Sequence, residues 1–354
     1  MSEQSLFSKG INRIKKSYFM VNKFYLWLLF FFLLAFNGAI AFSGAVVVFI
    51  LFLFTRRVPL EPKGHYLFDT YVYKQTATIP LKLDCWYPNE QKKHYPVVFF
   101  AHGGGWISGF RNQPNNVSWS KYLASKGFAV VSIDYRYGIN NRMEDILKDY
   151  SDALEFVKSQ AKSLRLDTSN MALMGLSAGG HLALLYAAYY SSKETTLNDE
   201  ERAARMSGIQ TVVAFYTPSD LHDIFEKDNK SLFARFATIT TLKGLPDNMN
   251  DVYRYYSPIY WVSHNLPPVF MAHGKEDDVV PFSSAVKLAR KLKECSVDYK
   301  FYVHKKGNHA FEFVMKDFQT IRILESTINF LKSKLSDKEN LKADTEKKGG
   351  QDAC

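Results

Sequence analysis

A serine flanked by small residues lies near the middle of the chain, in the sequence G-L-S-A-G at positions 175–179. A short apolar run, residues 171–174, precedes it, and residues 180–185 are typical of the start of a helix. A serine in a sharp turn between a strand and a helix is exposed above the sheet, and the helix dipole there favours developing negative charge. A glycine-rich turn that only ends a strand would have a similar composition. The flanking strand and helix favour the first interpretation, so we predict that Ser177 is a nucleophile.

The sequence H-G-G-G-W at positions 102–106 follows another apolar run, residues 97–100. Three consecutive glycines leave their backbone N–H groups unshielded, so that a ligand can approach them closely. Together with the N–H of Ala178 they can hold the negative oxygen that forms when a serine attacks a carbonyl group. A merely flexible loop is the alternative, and it is less specific than this pattern directly after a strand. We expect His102 to brace the loop rather than to transfer protons.

A nucleophilic serine needs an acid and a base, which after a G-x-S-x-G turn follow in the order acid, then histidine. Asp277 comes shortly after the apolar run 269–271. A carboxylate at the carboxyl end of a strand can reach a site at that edge of the sheet. The neighbouring Asp278 and Glu276 are the second and third candidates. An exposed acidic turn without a catalytic role is the alternative interpretation.

The candidate base is His309, in the sequence G-N-H-A-F at positions 307–311. Of the nine histidines only His304 and His309 follow Asp277. His304 lies within the predicted last strand, residues 299–304, where its side chain is fixed to one face of the sheet. A histidine in the following loop can turn over the serine, so we predict that His309 is the base.

Short apolar runs alternate with helical patterns over most of the chain. Runs with strand character lie at residues 79–85, 97–100, 129–133, 171–174, 212–215, 269–271 and 299–304. Apolar residues recur at helical spacing within residues 146–161 and 321–331. Strands that alternate with helices predict parallel pairing and a three-layer α/β fold. Residues 220–256 break the alternation and are a candidate for a small cap over the site.

Taken together, the motifs resemble those of a known family. In chain order they are H-G-G-G-W, D-Y-R at 134–136, G-L-S-A-G-G-H at 175–181, H-G-x-x-D-x-x-V-P at 273–281 and a late G-N-H. This order is similar to that of the α/β-hydrolase esterases related to hormone-sensitive lipase, in the branch of small carboxylesterases and acetyl- or feruloyl-esterases. The resemblance covers roughly residues 70–335 and implies an α/β-hydrolase fold with a mostly parallel sheet of about eight strands.

The resemblance also implies roles for individual residues. The catalytic triad would consist of Ser177, Asp277 and His309. The oxyanion hole would be built from backbone donors at Gly104, Gly105 and Ala178, with Gly103 shaping the loop. The long helical N-terminal cap of that family is not apparent in the sequence. A hydrophobic anchor, for which residues 24–54 of this chain are a candidate, is not typical of the soluble members of that family. We find no metal-ligand cluster, phosphate loop or dinucleotide fingerprint in the sequence, and therefore expect neither a metal nor a cofactor.

Residues 24–54 contain no charged residue and are rich in Phe, Leu, Ile and Val, with Lys and Arg on both sides. A straight helix over this range would be about 46 Å long, against ~30 Å for the hydrocarbon core of a bilayer. One tilted transmembrane helix fits, and so does a re-entrant hairpin that turns at Asn37-Gly38. Cleavage of a signal peptide after residues 39–41 is disfavoured, since it would leave the apolar residues 46–54 on a soluble enzyme. Basic residues on both sides leave the orientation open.

The formal net charge of +10 suits contact between the basic flanks and anionic lipid headgroups. The globular part has no basic stripe interleaved with aromatic residues, so we do not expect nucleic-acid binding. Three cysteines, Cys85, Cys295 and Cys354, are too scattered for a disulfide framework or a metal site. The N-x-S sequons at Asn116 and Asn229 matter only if the domain faces a secretory compartment.

The sequence thus predicts five parts: a basic segment at residues 1–23, a membrane segment at 24–54, a linker at 55–69, an α/β-hydrolase domain at 70–335 and a charged tail at 336–354. The expected function is hydrolysis of a small-molecule or lipid ester by a membrane-anchored serine hydrolase. An amidase or peptidase with the same triad stays open. A non-catalytic binding module is disfavoured, because all three triad positions are filled. The sequence does not indicate the oligomeric state.

Overall fold

The computed structural model describes residues 28–30, 32, 44 and 57–335. The chain separates into two compact units, residues 1–56 and 57–354, and the fold below is that of the second. Within the predicted membrane segment only residues 28–30, 32 and 44 are described, as helix, while the predicted segments 1–23 and 336–354 lie outside the described residues. No helix in the described part of the chain has both the length and the apolar character needed to cross a membrane.

One eight-stranded sheet forms the centre of the fold, with strand order β1-β2-β4-β3-β5-β6-β7-β8. In chain order the strands are Phe68–Gln75, Pro80–Trp86, Tyr95–Ala101, Ala129–Ile133, Leu166–Leu176, Ile209–Phe215, Val269–Gly274 and Tyr299–His304. Strand β2 pairs antiparallel with β1 and β4, and all other neighbours are parallel. The predicted mostly parallel sheet of about eight strands is confirmed. The sequence analysis did not identify β1, which begins within the predicted linker 55–69.

Helices follow most of the parallel strands. The α-helices α1 to α9 are Pro114–Ala124, Met143–Ser159, Ala178–Ser191, Asp199–Met206, Leu232–Leu242, Asn250–Tyr255, Phe282–Glu294, Phe311–Val314 and Phe318–Lys334. Single 3-10 turns lie at Leu221–Phe225, Pro246–Asn248 and Pro258–Tyr260. The two predicted helical patterns, residues 146–161 and 321–331, correspond to α2 and α9.

The sheet is covered on both faces, as the continuous apolar runs predicted. Side chains alternate along β3, so that Val97 and Phe99 belong to one buried cluster and Val98 and Phe100 to the other. Helices α2, α3 and α7 contribute to the first cluster. Helices α1 and α9 contribute to the second. This is a three-layer α/β arrangement with a hydrophobic core on each face of the sheet.

Residues 220–256 form helices α5 and α6 and two of the 3-10 turns. Helix α5 lies against the glycine loop that follows β3, since a Cβ atom added to Gly105 would be only 2.9 Å from the Cβ of Ala237. The C-terminal end of α5 is tied to another loop, because Lys243 donates to the carbonyl of Gly138 at 2.6 Å. This segment therefore covers the loops at the carboxyl ends of the central strands.

Candidate active site

Ser177 occupies a tight turn between β5 and α3 with φ 51° and ψ −117°. A non-glycine residue is strained in this conformation, and such strain is typical of a nucleophile held at a strand-to-helix turn. The neighbouring glycines are required by the packing. A Cβ on Gly175 would lie 2.2 Å from the carbonyl carbon of Gly179, and one on Gly179 would lie 2.1 Å from the carbonyl oxygen of Ala101. The small residues of the G-L-S-A-G sequence thus allow α3 to start directly against β3 and β5.

His309 lies between Ser177 and Asp277. Its Nε2 atom is 3.0 Å from the hydroxyl oxygen of Ser177. Its Nδ1 atom is 2.9 Å from one carboxylate oxygen of Asp277 and 3.0 Å from the other. These residues come from the ends of β5, β7 and β8 and are separated by up to 132 positions in the chain. The geometry is that of a serine whose proton can pass to a histidine oriented by a carboxylate.

The carboxylate of Asp277 is fully buried and accepts hydrogen bonds from several directions. The backbone N–H groups of Val279 and Val280 each donate to one of its oxygens at 2.9 Å. The ring of His273 approaches the other oxygen at 3.2 Å. Burial by itself would raise the pKa of Asp277, but the nearby charge of His309 and the bonds from both histidines hold that pKa below its ordinary value. The group is therefore a carboxylate at neutral pH.

The competing candidates lie elsewhere. Asp278 and Glu276 are exposed, whereas the side chain of Asp277 points inward to His309. His304 ends β8 as a buried residue, and its Nε2 atom pairs with Asp317 at 3.1 Å. Of these two histidines, His309 is the one whose ring lies within hydrogen-bond distance of Ser177.

The glycine loop, residues 102–106, lies beside the serine. A Cβ on Gly103 would be 3.5 Å from the Cβ of Ser177, and Gly104 and Gly105 have φ values of 121° and 60° that favour glycine. Within the described part of the chain, the N–H groups of these three glycines donate to no other backbone carbonyl. The N–H of Ala178, the first residue of α3, belongs to the residue that directly follows Ser177.

His102 braces this loop, as expected from the sequence. Its Nδ1 atom bonds with the carbonyl of Gly103 at 2.7 Å, and its ring stacks on Tyr135 with centroids 4.1 Å apart. The hydroxyl of Tyr135 donates a hydrogen bond to the backbone carbonyl of His102 at 2.8 Å. Burial lowers the pKa of His102. The imidazole is thus neutral at pH 7 and supports the loop by donating its Nδ1–H to the carbonyl of Gly103.

Three further residues at the site were not singled out from the sequence. The first, His273, contacts Asp277. The second, Tyr216, packs its ring against that of His309 with centroids 4.6 Å apart. The third, Glu312, accepts a hydrogen bond from the hydroxyl of Tyr216 at 2.6 Å. His273 could have been found from the sequence, because it is the first residue of the H-G-x-x-D motif that contains Asp277. Tyr216 directly follows β6, the strand between those of Ser177 and Asp277. Across residues 28–30, 32, 44 and 57–335, no group of His, Cys, Asp and Glu side chains could hold a metal ion.

The chain is similar to a family model and to proteins described as esterases. Residues 83–292, more than half of the chain, match the BD-FAE family model. The chain is 28% identical over 239 residues to Esterase LipC of Mycobacterium tuberculosis, covering 66% of this chain and 57% of that protein. It is 28% identical over 243 residues to a probable isoprenylcysteine alpha-carbonyl methylesterase, ICME, of Oryza sativa, covering 66% and 56%. The chain therefore spans little more than half the length of these relatives.

Solved esterase structures share the fold. Esterase B from Lactobacillus rhamnosis, solved with an inhibitor, gives a TM-score of 0.67 at 21% identity and covers 86% of this chain and 97% of that one. Est2 from Thermogutta terrifontis, solved with butyrate bound, gives a TM-score of 0.59 at 25% identity, with 74% and 92% covered. The eight-stranded sheet is therefore that of an α/β-hydrolase esterase fold.

Proposed function

The chain belongs to the BD-FAE family, and from that premise we propose that it is a serine hydrolase that cleaves carboxylic esters through Ser177, His309 and Asp277. The observation that carries the proposal is the continuous contact from hydroxyl to imidazole to carboxylate, at 3.0 Å and 2.9 Å. Esterases among the relatives support the ester bond as the target.

In the proposed reaction His309 takes the proton of Ser177 as the hydroxyl oxygen attacks the ester carbonyl. Asp277 keeps the Nδ1 atom of His309 protonated and facing it, and stabilises the positive imidazolium. His309 then gives the proton to the departing alcohol, which leaves an acyl group on Ser177. Water enters, His309 takes a proton from it, and the attack on the acyl-enzyme returns the serine and a free acid.

The negative oxygen of each tetrahedral intermediate would be held by the backbone donors beside Ser177. Gly104, Gly105 and Ala178 are proposed as these donors, with Gly103 setting the course of the loop against the serine. The positive end of the α3 dipole points at the same place. Removing one such donor lowers turnover by on the order of 10²–10³ in other hydrolases.

We further propose that the substrate carries an apolar acyl group that lies along α5. Phe233 is half exposed and meets the glycine loop, since its ring lies 3.1 Å from the position of a Cβ on Gly105. Leu232 and Phe236 extend the exposed apolar face of this helix. The bound butyrate named for Est2 supports at least a short acyl chain, and the exposed helix face offers contacts for a longer one.

Residues 24–54 are proposed to attach the enzyme to a membrane, either as one tilted helix or as a hairpin. The support is the uncharged apolar stretch of 31 residues with basic residues on both sides. Such an anchor would keep the site close to lipid or cell-envelope esters.

The test is turnover of p-nitrophenyl esters from acetate to palmitate by the full-length chain and by Ser177→Ala. We expect saturable turnover by the wild type and a loss of at least about 10³-fold in the variant, because the variant lacks the hydroxyl that bonds with His309. The preferred chain length then distinguishes small esters from lipids.

A fluorophosphonate probe provides the control for folding and accessibility. It should label the wild type and not Ser177→Ala, while both proteins show the same cooperative thermal transition. A folded wild type that neither turns over any ester nor reacts with the probe would overturn the proposal and favour the binding module.

A further inference from the structure

Behind His309 lies a second buried carboxyl group, that of Glu312 in the short helix α8. The residue is fully buried, and its Oε2 atom contacts no hydrogen-bond partner. Its Oε1 atom accepts from the hydroxyl of Tyr216 at 2.6 Å and from the indole N–H of Trp119 at 3.4 Å. A buried ionisable group with one orphan oxygen is costly and calls for an explanation.

Other buried carboxylates of the described domain have cationic partners. Asp84 pairs with Arg111, Asp149 with Lys74 and Arg136, and Asp223 with Lys287. Among the described residues Glu312 has no cationic partner of this kind, and its carboxyl group accepts from a phenol, an indole and its own backbone N–H. It is therefore not a member of a structural ion pair, and its position behind the active site needs a different reason.

The contacts of Tyr216 connect Glu312 to the triad. The ring of Tyr216 meets that of His309 edge to face, with centroids 4.6 Å apart and an interplanar angle of 62°. The backbone of Tyr216 is fixed by a 2.7 Å bond from its N–H to the carbonyl of Ala272 in β7. Its φ of 38° is unusual for a residue with a side chain, so the surrounding contacts determine this position.

Burial raises the pKa of Glu312 to about 7, and the bonds from Tyr216, from its own backbone N–H and from Trp119, together with the charge of His309, act in the opposite direction. Among the described residues, the titratable groups that act on it are thus Tyr216 and His309. The neighbouring His304 contacts the ring of Phe311 and pairs with Asp317 instead. The carboxyl group therefore changes its charge close to neutral pH.

We propose that Glu312 is a positioning residue for His309: it holds the Tyr216 ring against the imidazole, and in its ionised form it stabilises the imidazolium that forms when Ser177 attacks. This inference rests on the proposed function of the triad. No proton passes between Glu312 and His309 during turnover. The ionised form makes a charge-assisted bond with Tyr216 and adds a second negative charge behind the imidazolium, whereas the neutral form provides neither.

The experiment is the pH dependence of kcat/KM for p-nitrophenyl acetate, measured with the full-length wild type and Glu312→Gln from pH 5.5 to 8.5. We expect the variant to be about three- to tenfold slower at pH 8, the range for exchanging a charge-assisted hydrogen bond for a neutral one. At pH 6 the carboxyl of the wild type is mostly protonated, so the two proteins should differ by less than about twofold. The same loss at every pH, or no loss at pH 8, would overturn the inference.

Tyr216→Phe keeps the ring and removes the hydroxyl, and provides an independent test. It should show the same loss confined to high pH, and the double variant should be no slower than either single variant. If Glu312→Gln does not unfold cooperatively, this variant decides alone, and a loss that is equal at pH 6 and pH 8 contradicts the proposal.

Asp149→Asn is the matched control, since Asp149 is also fully buried but lies in α2, where it pairs with Lys74 and Arg136. This variant should be less stable than the wild type, while the ratio of its kcat/KM to that of the wild type stays constant with pH. Ser177→Ala separates the two hypotheses. Activity that survives in Ser177→Ala refutes the proposed function itself, whereas an inactive Ser177→Ala with a pH-independent Glu312→Gln refutes only the role of Glu312.

Discussion

At the scale of single residues, adjacent acidic side chains have different environments. Asp277 is surrounded by two backbone N–H donors and two imidazole rings, and Asp278 beside it faces solvent. The bonds that lower the pKa of Asp277 exist only in the folded chain. The stability they contribute is therefore present above the ordinary pKa of an aspartate and is lost as pH falls through the lowered value.

Replacing Asp277 by Asn should lower kcat/KM for a p-nitrophenyl ester by on the order of 10³–10⁴. The amide can no longer hold Nδ1 of His309 protonated, so the imidazole cannot accept the proton of Ser177. Asp278→Asn is the control and should stay within about twofold of the wild type. Equal losses in the two variants would assign the effect to the charge of the loop instead of the contact with His309.

Ser177, Asp277 and His309 could be predicted from the sequence because each follows a strand and their order along the chain is constrained. Tyr216 and Glu312 could not be predicted in the same way. Their connection depends on a bond that spans 96 positions, and neither type of residue has a spacing that marks a site. Only the packing of α8 under the loop after β6 brings them together.

At the scale of elements, glycine allows the glycine loop to lie against the serine turn, since a Cβ on Gly103 would be 3.1 Å from the carbonyl oxygen of Leu176. Gly104 has φ 121°, and a Cβ there would lie 2.2 Å from the carbonyl oxygen of Ser108. That carbonyl belongs to the turn in which the N–H of Ser108 bonds back to Gly104. A side chain at Gly104 would open this turn and move the proposed oxyanion donors.

Gly104→Ala should therefore reduce kcat by about 10²-fold or more, the scale of a lost oxyanion donor. Gly127→Ala is a suitable comparison, since Gly127 also has a positive φ, of 97°, but has no heavy atom within 4 Å of the added Cβ. We expect it to lose stability by about 1 kcal/mol without a loss of kcat. Steady-state kinetics and thermal unfolding of both variants provide the check, and an active Gly104→Ala would argue against the loop as oxyanion hole.

The central parallel strands were predicted well because they are buried on both faces and have continuous apolar sequences. Strand β1 was missed for the opposite reason. It lies at the edge of the sheet, and most of its residues are exposed or half-buried, so no apolar run marks it. Strand β1 is recognised by its antiparallel pairing with β2, which its own composition does not indicate.

At the scale of the whole molecule, residues 57–354 form a compact unit that contains every residue of the candidate site. Among the residues that the structure describes, the sheet and the clusters on its two faces contain none before Val58. The proposed membrane attachment and the proposed chemistry therefore lie in different parts of the chain.

A chain that starts at Arg57 should hydrolyse a water-soluble ester with kcat within about threefold of the full-length protein. The full-length chain should sediment with membranes through residues 24–54, and the shortened chain should stay in the supernatant. Fractionation after a high-salt wash separates insertion from attraction of the basic flanks to lipid headgroups, because salt weakens only the latter. Release of the full-length protein by salt alone would contradict the proposed anchor.

The buried carboxyl of Glu312 has a thermodynamic consequence for the whole fold. Its pKa in the folded chain is about 7, against 4.5 for an ordinary glutamate, so the folded state binds the proton more tightly than the unfolded state. The contribution of this proton binding to the free energy of unfolding is complete below pH 4.5. It is lost as pH rises through 7, which lowers the free energy of unfolding by on the order of 3 kcal/mol. The charge state proposed to serve catalysis is thus the one that weakens the fold. A laboratory selection for heat resistance at neutral pH would favour loss of this carboxyl, and the heat-resistant survivors would be the slower enzymes.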